Sequence, residues 1–214
     1  MSDAAKDAAQ NKKKEGRAGK RLFPILFMLV ITLVFISITS VIYTVTKDTI
    51  KLNETIKLKR AVLESGGIAA PEDPREVDGL YNSRVREVSA AGELLYEVTS
   101  PDGSTVQSYV LNITGPGLWG DITCIIGYDS RLETCTGFEV IDQNETPGLG
   151  GRISEKWFKD QFIGKKPPLI SVAEGDETDE SEFQAITGAT YSTAAVEYIM
   201  NTGLERIKVA FKDE

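Results

Sequence analysis

Ile186-Thr187-Gly188-Ala189-Thr190-Tyr191-Ser192-Thr193 is a compact cluster of glycine and hydroxyl residues directly before the last helical pattern of the chain. Gly188 and Ala189 let a ligand approach the backbone, and Ser192 or Thr193 can cap a helix expected from about Ala194 to Phe211. The free N–H groups of a first helical turn attract a phosphate, so a phosphate-bearing cofactor fits there. A plain capped helix start after a tight turn fits the same eight residues. Val196, Ile199, Gly203, Ile207 and Ala210 make one apolar stripe along the helix, which must therefore pack on a sheet. Gly203 in mid-helix costs about 1 kcal/mol against Ala, which points to the close approach of another backbone.

Upstream, Glu145-Thr146-Pro147-Gly148-Leu149-Gly150-Gly151 is a second loop with the means to lie flat against a ring system. Pro147 fixes φ, while Gly148 and Gly150 permit positive φ and expose backbone N–H groups. Between this loop and the final cluster, Ser154 is expected to cap a short helix, Glu155 to Ile163, that ends at Gly164. A short strand, Leu169 to Val172, and a solvated acidic loop, Glu174 to Glu182, follow. Before the loop, Glu93–Thr99 and Val106–Ile113 flank Ser100-Pro101-Asp102-Gly103-Ser104 as a hairpin. Asp121–Tyr128 and Arg131–Ile141 form a second hairpin. With Asp129 and Ser130 as its two turn residues, Cys124 opposes Cys135 and the thiols are cross-strand neighbours.

The 214 residues carry a formal charge of −8 that conceals an asymmetry. The segment before Leu22 holds Lys12, Lys13, Lys14, Arg17, Lys20 and Arg21 without an apolar period and is expected to be mobile, and the remainder is strongly acidic. Nucleic-acid binding is disfavoured, because the basic surface is confined to one short tail. From Leu22 to Thr46 no residue is charged. At about 1.5 Å per residue that run crosses the roughly 30 Å hydrocarbon core, and it exceeds the apolar region of a signal peptide. Pro24 is expected in its first turn. The basic cluster before the span puts the N-terminus in the cytoplasm and the acidic domain outside. Residues 47–65 continue helically as a stalk that Gly66-Gly67 ends, and residues 68–74 read as a linker. With no His and no Cys-x-x-Cys, neither a zinc site nor an iron–sulfur cluster has its ligands.

Thr187-Gly188-Ala189-Thr190 resembles the flavin-attachment motif of the FMN-binding domain family. That family includes the G subunit of Rnf complexes and the C subunit of sodium-pumping NADH:quinone reductase. The resemblance implies that Thr190 carries FMN through a phosphoester bond made by a separate flavin transferase. Where the family usually has Asp, three residues before the first hydroxyl residue, this chain has Gln184. Glu145 to Gly150 is similar to the same family's Glu-Thr-Pro-Gly-Leu-Gly loop. Gly115-Pro116-Gly117-Leu118-Trp119-Gly120 resembles the glycine-rich loop before its central strands, with Trp119 beside the cofactor or facing the core.

The implied site is Thr187, Gly188, Ala189, Thr190, Ser192, Glu145, Thr146, Pro147, Gly148, Leu149, Gly150 and Trp119, with no catalytic acid or base, since flavin supplies its own redox chemistry. The implied fold is α+β: a single N-terminal transmembrane helix, then an extracytoplasmic FMN-binding domain with an antiparallel sheet and packed helices. Its divisions are a basic tail (1–21), the span (22–46), stalk and linker (47–74) and the FMN-binding domain (75–214). Partners are the other membrane subunits of an Rnf or quinone-reductase complex. A stand-alone flavin reductase and a flavin-free structural subunit are the alternatives outside that class.

Overall fold

Helix α1 runs from Asp3 to Ser65 in a computed structural model that describes the backbone of residues 3–212 and the side chains of residues 22–211. The chain divides between Asn53 and Glu54 into two units. In the first, the segment expected to be mobile belongs to the helix from Asp3 onward, and its side chains lie outside the described residues. Pro24 therefore sits inside the helix and not in its first turn, where its missing N–H deletes one hydrogen bond. The uncharged run makes this helix long and apolar enough to cross a membrane, with a mean hydropathy of 2.8. Among the described residues its large apolar side chains are mostly exposed; Phe23 is 70% and Val45 74% exposed. Thr32, Ser37, Thr39, Thr44 and Thr46 each donate back to the carbonyl four residues earlier. Those bonds satisfy hydroxyl donors that an apolar surrounding would leave without water.

The second unit starts at Glu54, so the stretch read as stalk contributes its last turns to the domain. Helix α1 ends in a Schellman motif, with Ile68 N–H on the Leu63 carbonyl (2.9 Å), Gly67 N–H on Glu64 (3.1 Å) and Gly67 at φ +83°. After the Asp73-capped helix α2 (Pro74–Arg84), five strands form an antiparallel meander: β1 (Val85–Ala90), β2 (Glu93–Thr99), β3 (Val106–Pro116), β4 (Asp121–Asp129) and β5 (Cys135–Asp142). The β2–β3 hairpin is the expected one.

The β4–β5 hairpin is not, because its loop is longer. Asp129 N–H bonds the Thr134 carbonyl, and the Asp129 carboxylate accepts from the Arg131 and Glu133 amides. Tyr128 therefore pairs with Cys135 and Cys124 with Val140. The cysteines are separately buried free thiols, not cross-strand neighbours.

Each face of the sheet has its own core. On one, Ala61, Val62 and Leu63 of α1 and Val77 and Tyr81 of α2 meet Tyr96, Val98, Val110 and Ile125. On the other, helix α4 (Thr190–Lys212) lays Val196, Ile199, Ile207 and Ala210 on Leu111, Ile113, Ile126 and Tyr128. Gly203 belongs to that stripe, but it admits side chains and not a backbone: a Cβ there would lie 2.1 Å from Ile126 Cδ1 and 3.3 Å from Ile113 Cδ1.

After β5 come a 3-10 turn (Gly150–Ser154) and helix α3 (Lys156–Asp160), then two short strands, β6 (Ile170–Val172) and β7 (Glu182–Gln184). Ser154 closes the 3-10 turn, so Glu155 stands at the N-cap of α3 without a side-chain cap bond. β7 pairs in parallel with β6 at the end of the segment read as a solvated loop. The fold is α+β as expected, with helices on both faces of one antiparallel sheet.

Candidate functional site

The hydroxyl cluster is built differently from a capped helix start at Ala194. Helix α4 already begins at Thr190, so Ser192 and Thr193 lie within its first turn and do not precede it. Gly188 takes φ +81°, and the Ala189 amide closes a tight turn on the Ile186 carbonyl at 2.9 Å. Thr193 staples that turn to the helix, since its hydroxyl accepts from the Ile186 N–H (3.1 Å) and donates to the Ala189 carbonyl (3.0 Å). The buried Ser192 hydroxyl donates to Glu145 Oε2, and Thr187 donates to Glu174 Oε2 at 3.1 Å.

Thr190 is exposed, and its hydroxyl bonds no described residue. The N–H groups of Thr190, Tyr191 and Ser192 find no backbone carbonyl, the usual state of a first helical turn. A free hydroxyl and free donors thus share the positive end of a helix of 23 residues.

Glu145 joins this turn to the other two loops. It is 5% exposed, and both its oxygens are engaged. Oε1 accepts the amides of Leu118 (2.8 Å) and Trp119 (3.1 Å), and Oε2 accepts from Ser192. Two glycines make room for the carboxylate. A Cβ on Gly117 would stand 2.6 Å from Oε1; one on Gly150 would stand 2.8 Å from Oε2 and 2.3 Å from Ser192 Oγ. The loop after Glu145 folds back through the Leu149 and Gly151 amides on the Thr146 carbonyl, with Gly148 at φ +74°. Pro147 is exposed, and Leu149 Cδ2 lies 3.4 Å from where a Gly188 Cβ would be, so the two motifs touch. The resemblance thus joins residues that meet in space across a wide separation in the chain.

Exposed aromatic and apolar side chains begin one residue along the helix from Thr190. Trp119 is 70% and Tyr191 75% exposed, so Trp119 does not face the core. Leu118 and Tyr191, with Pro116, Ala194, Ala195 and Tyr198, line an open groove of about 360 Å³. Tyr198 and Pro116 are absent from the site implied by the sequence motifs. Tyr198 follows Tyr191 by two turns along one helix face, and that spacing is the signal that could have found it.

A larger cleft of about 490 Å³ lies between the end of α1, β5 and α3, and contains none of the motif residues. Its lysines are already paired, Lys159 with Glu139 and Lys156 with Asp160. The smaller groove is the one that adjoins the chemistry.

Residues 117–205 match the model of the FMN-binding domain. The chain is also 30% identical over 184 residues to the G subunit of the ion-translocating oxidoreductase complex of Methanosarcina acetivorans, an alignment covering 86% of this chain and 92% of that one. The chain belongs to the FMN-binding domain family. A second member, the G subunit of the Na(+)-translocating ferredoxin:NAD(+) oxidoreductase complex of Acetobacterium woodii, is 36% identical over 117 residues, which is 53% of this chain and 55% of that one. Among solved structures, the C subunit of the Na(+)-translocating NADH-quinone reductase from Parabacteroides distasonis superposes with a TM-score of 0.63 at 24% identity, covering 76% of this chain and 95% of that one. At that identity the likeness speaks for the fold. The matched family segment begins at Gly117 and ends at Glu205, so it takes in the three loops that Glu145 joins.

Proposed function

We propose that this chain is the membrane-anchored flavoprotein subunit of an ion-translocating, Rnf-type electron-transport complex and carries FMN as a phosphoester on Thr190. The observation that carries the attachment is the state of the hydroxyls in the 186–193 cluster. Ser192 and Thr193 are buried and bonded within the protein, Thr187 is bonded to Glu174, and of the four serine and threonine hydroxyls only that of Thr190 is exposed and unbonded among the described residues. The residues fit the group in two further respects: free amides at a helix N-terminus suit a phosphate, and the apolar groove beside Tyr191 suits a flat ring.

In this reading Thr190 binds the phosphate covalently, the first-turn amides orient it, and Gly148 and Gly188 let the two loops approach. Bound FMN supplies one- and two-electron transfer through its own ring, between ferredoxin and NAD in this type of complex. The protein holds the ring and leaves it open to partners, which are the other subunits of the complex; a flavin transferase makes the bond. Covalent attachment keeps the cofactor on the outer side of the membrane, where free FMN is scarce, and that side follows from the basic residues before the span. The relative that aligns along 92% of its length is the G subunit of an ion-translocating oxidoreductase complex, which favours the Rnf type over the quinone-reductase type.

Protein produced together with a flavin transferase is expected to keep yellow fluorescence on a denaturing gel and to gain the mass of FMN less water. Thr190→Ala abolishes both signals without unfolding the domain, and Thr190→Ser retains part of them because the oxygen remains. Denaturation-resistant flavin on the Thr190→Ala protein contradicts the assignment.

A further inference from the structure

We propose that Glu145 is a positioning residue whose buried carboxylate locks the Leu118–Trp119 loop to the first turn of α4, so that this loop and the Thr190 hydroxyl move as one body. The lock takes its purpose from the flavin reading above and its substance from geometry. Three segments far apart in sequence are hydrogen-bonded together through this side chain: two amides from the β3–β4 loop on Oε1 and one hydroxyl from α4 on Oε2. No bond of the Leu118 or Trp119 amide to another described residue stands in reserve. The β3–β4 loop has one internal tie, Gly117 N–H to the Gly120 carbonyl at 2.8 Å, which shapes the loop without attaching it to the helix.

Hydrogen bonds that satisfy buried amides and a buried hydroxyl are costly to leave unmade. The glycines at 117 and 150 agree with a fixed carboxylate, since each leaves space that a methyl group would take from it. Glu145 therefore acts on the flavin site through the loops it joins, and Ser192 is the helix end of the lock.

The test uses the full-length protein in detergent, first without flavin, and reads hydrogen–deuterium exchange at the Leu118 and Trp119 amides. In Ser192→Ala, which removes only the helix end of the lock, both amides are expected to exchange about 10-fold faster, while amides of Ile199–Ile207 hold their rates. Glu145→Gln keeps an oxygen for the amides and an N–H for Ser192, and should restore exchange to within about 3-fold of the parent protein. Glu145→Leu, similar in bulk but without any acceptor, should lose protection as Ser192→Ala does. Unchanged rates at Leu118 and Trp119 in Ser192→Ala overturn the lock, because the loop is then held without the helix.

The same variants are then produced with a flavin transferase. Flavin per chain should fall in Ser192→Ala and Glu145→Leu and recover in Glu145→Gln; full incorporation in Ser192→Ala overturns the positioning role. A parent protein that takes no flavin at Thr190 refutes the functional reading instead, while the exchange measurements on unloaded protein still decide the lock.

Discussion

The Ser65 carbonyl lies so close to Gly127 that a Cβ on Gly127 would stand 1.9 Å from its oxygen. This is a backbone contact between the last residue of α1 and the middle of β4, and it is pinned by hydrogen bonds on both sides. Ser65 Oγ donates to the Ile125 carbonyl (3.1 Å), and Thr136 Oγ1 donates to the Ser65 carbonyl (2.6 Å). Gly137 on the neighbouring strand gives the same clearance, with a Cβ falling 2.8 Å from Ser65 Cα. Gly127→Ala must push the helix end off the sheet. The expected loss is about 3 kcal/mol or failure to fold, since the obstructing atoms are backbone and not a flexible side chain. Thermal unfolding of the full-length protein in detergent checks it; a midpoint no lower than that of the parent means the helix end is not seated there.

Glu64, one residue earlier, gives the domain a pH dependence. Burial and the neighbouring Glu139 carboxylate raise its pKa above the ordinary 4.5. The folded protein therefore holds a proton on Glu64 at pH values where the unfolded chain has released it, and stability is lost as pH rises through the raised value. Glu64→Gln stays uncharged throughout, so its unfolding midpoint should exceed that of the parent at about pH 8. The difference should vanish by about pH 4, below the unfolded value. A gap that widens toward acid has the wrong sign for this account.

The sidedness of the membrane anchor is open to a direct experiment. Protease added to right-side-out vesicles is expected to digest the domain that follows the span, and inverted vesicles to protect it. The reverse pattern places the domain in the cytoplasm and removes the physical case for covalent attachment.

How far the chain can be read depends on how local each determinant is. The long apolar helix, the β2–β3 hairpin and the buried stripe of α4 follow from composition or period within one stretch, and all three are present. The β4–β5 register does not, because the Asp129 carboxylate gathers two loop amides. That stabilises a longer loop than the two-residue turn that spacing suggests. A shift of register separates Cys124 from Cys135, and each thiol is left among apolar side chains, where burial pushes that of Cys135 up to about 12.

At the site, the motifs are legible as strings while their division of labour is not. Ser192 reads as a cap or a spare acceptor until the structure sets it against Glu145. Helix α4 starts at Thr190 and not near Ala194, because Thr190 and Tyr191 look like part of a loop when taken without the turn that Thr193 fastens. Gly203 suggests a backbone contact only because sequence alone does not say which isoleucines lie opposite.

Helix α1 does not stop at the surface of the domain, since Ala61, Val62 and Leu63 fill one of its two cores. A protease that cuts after Ser65 would therefore leave a hole in the remainder and would not free it intact. The compact unit that keeps both cores begins at Glu54, so a shed form of this protein that stays folded carries the last turns of helix α1 away with it.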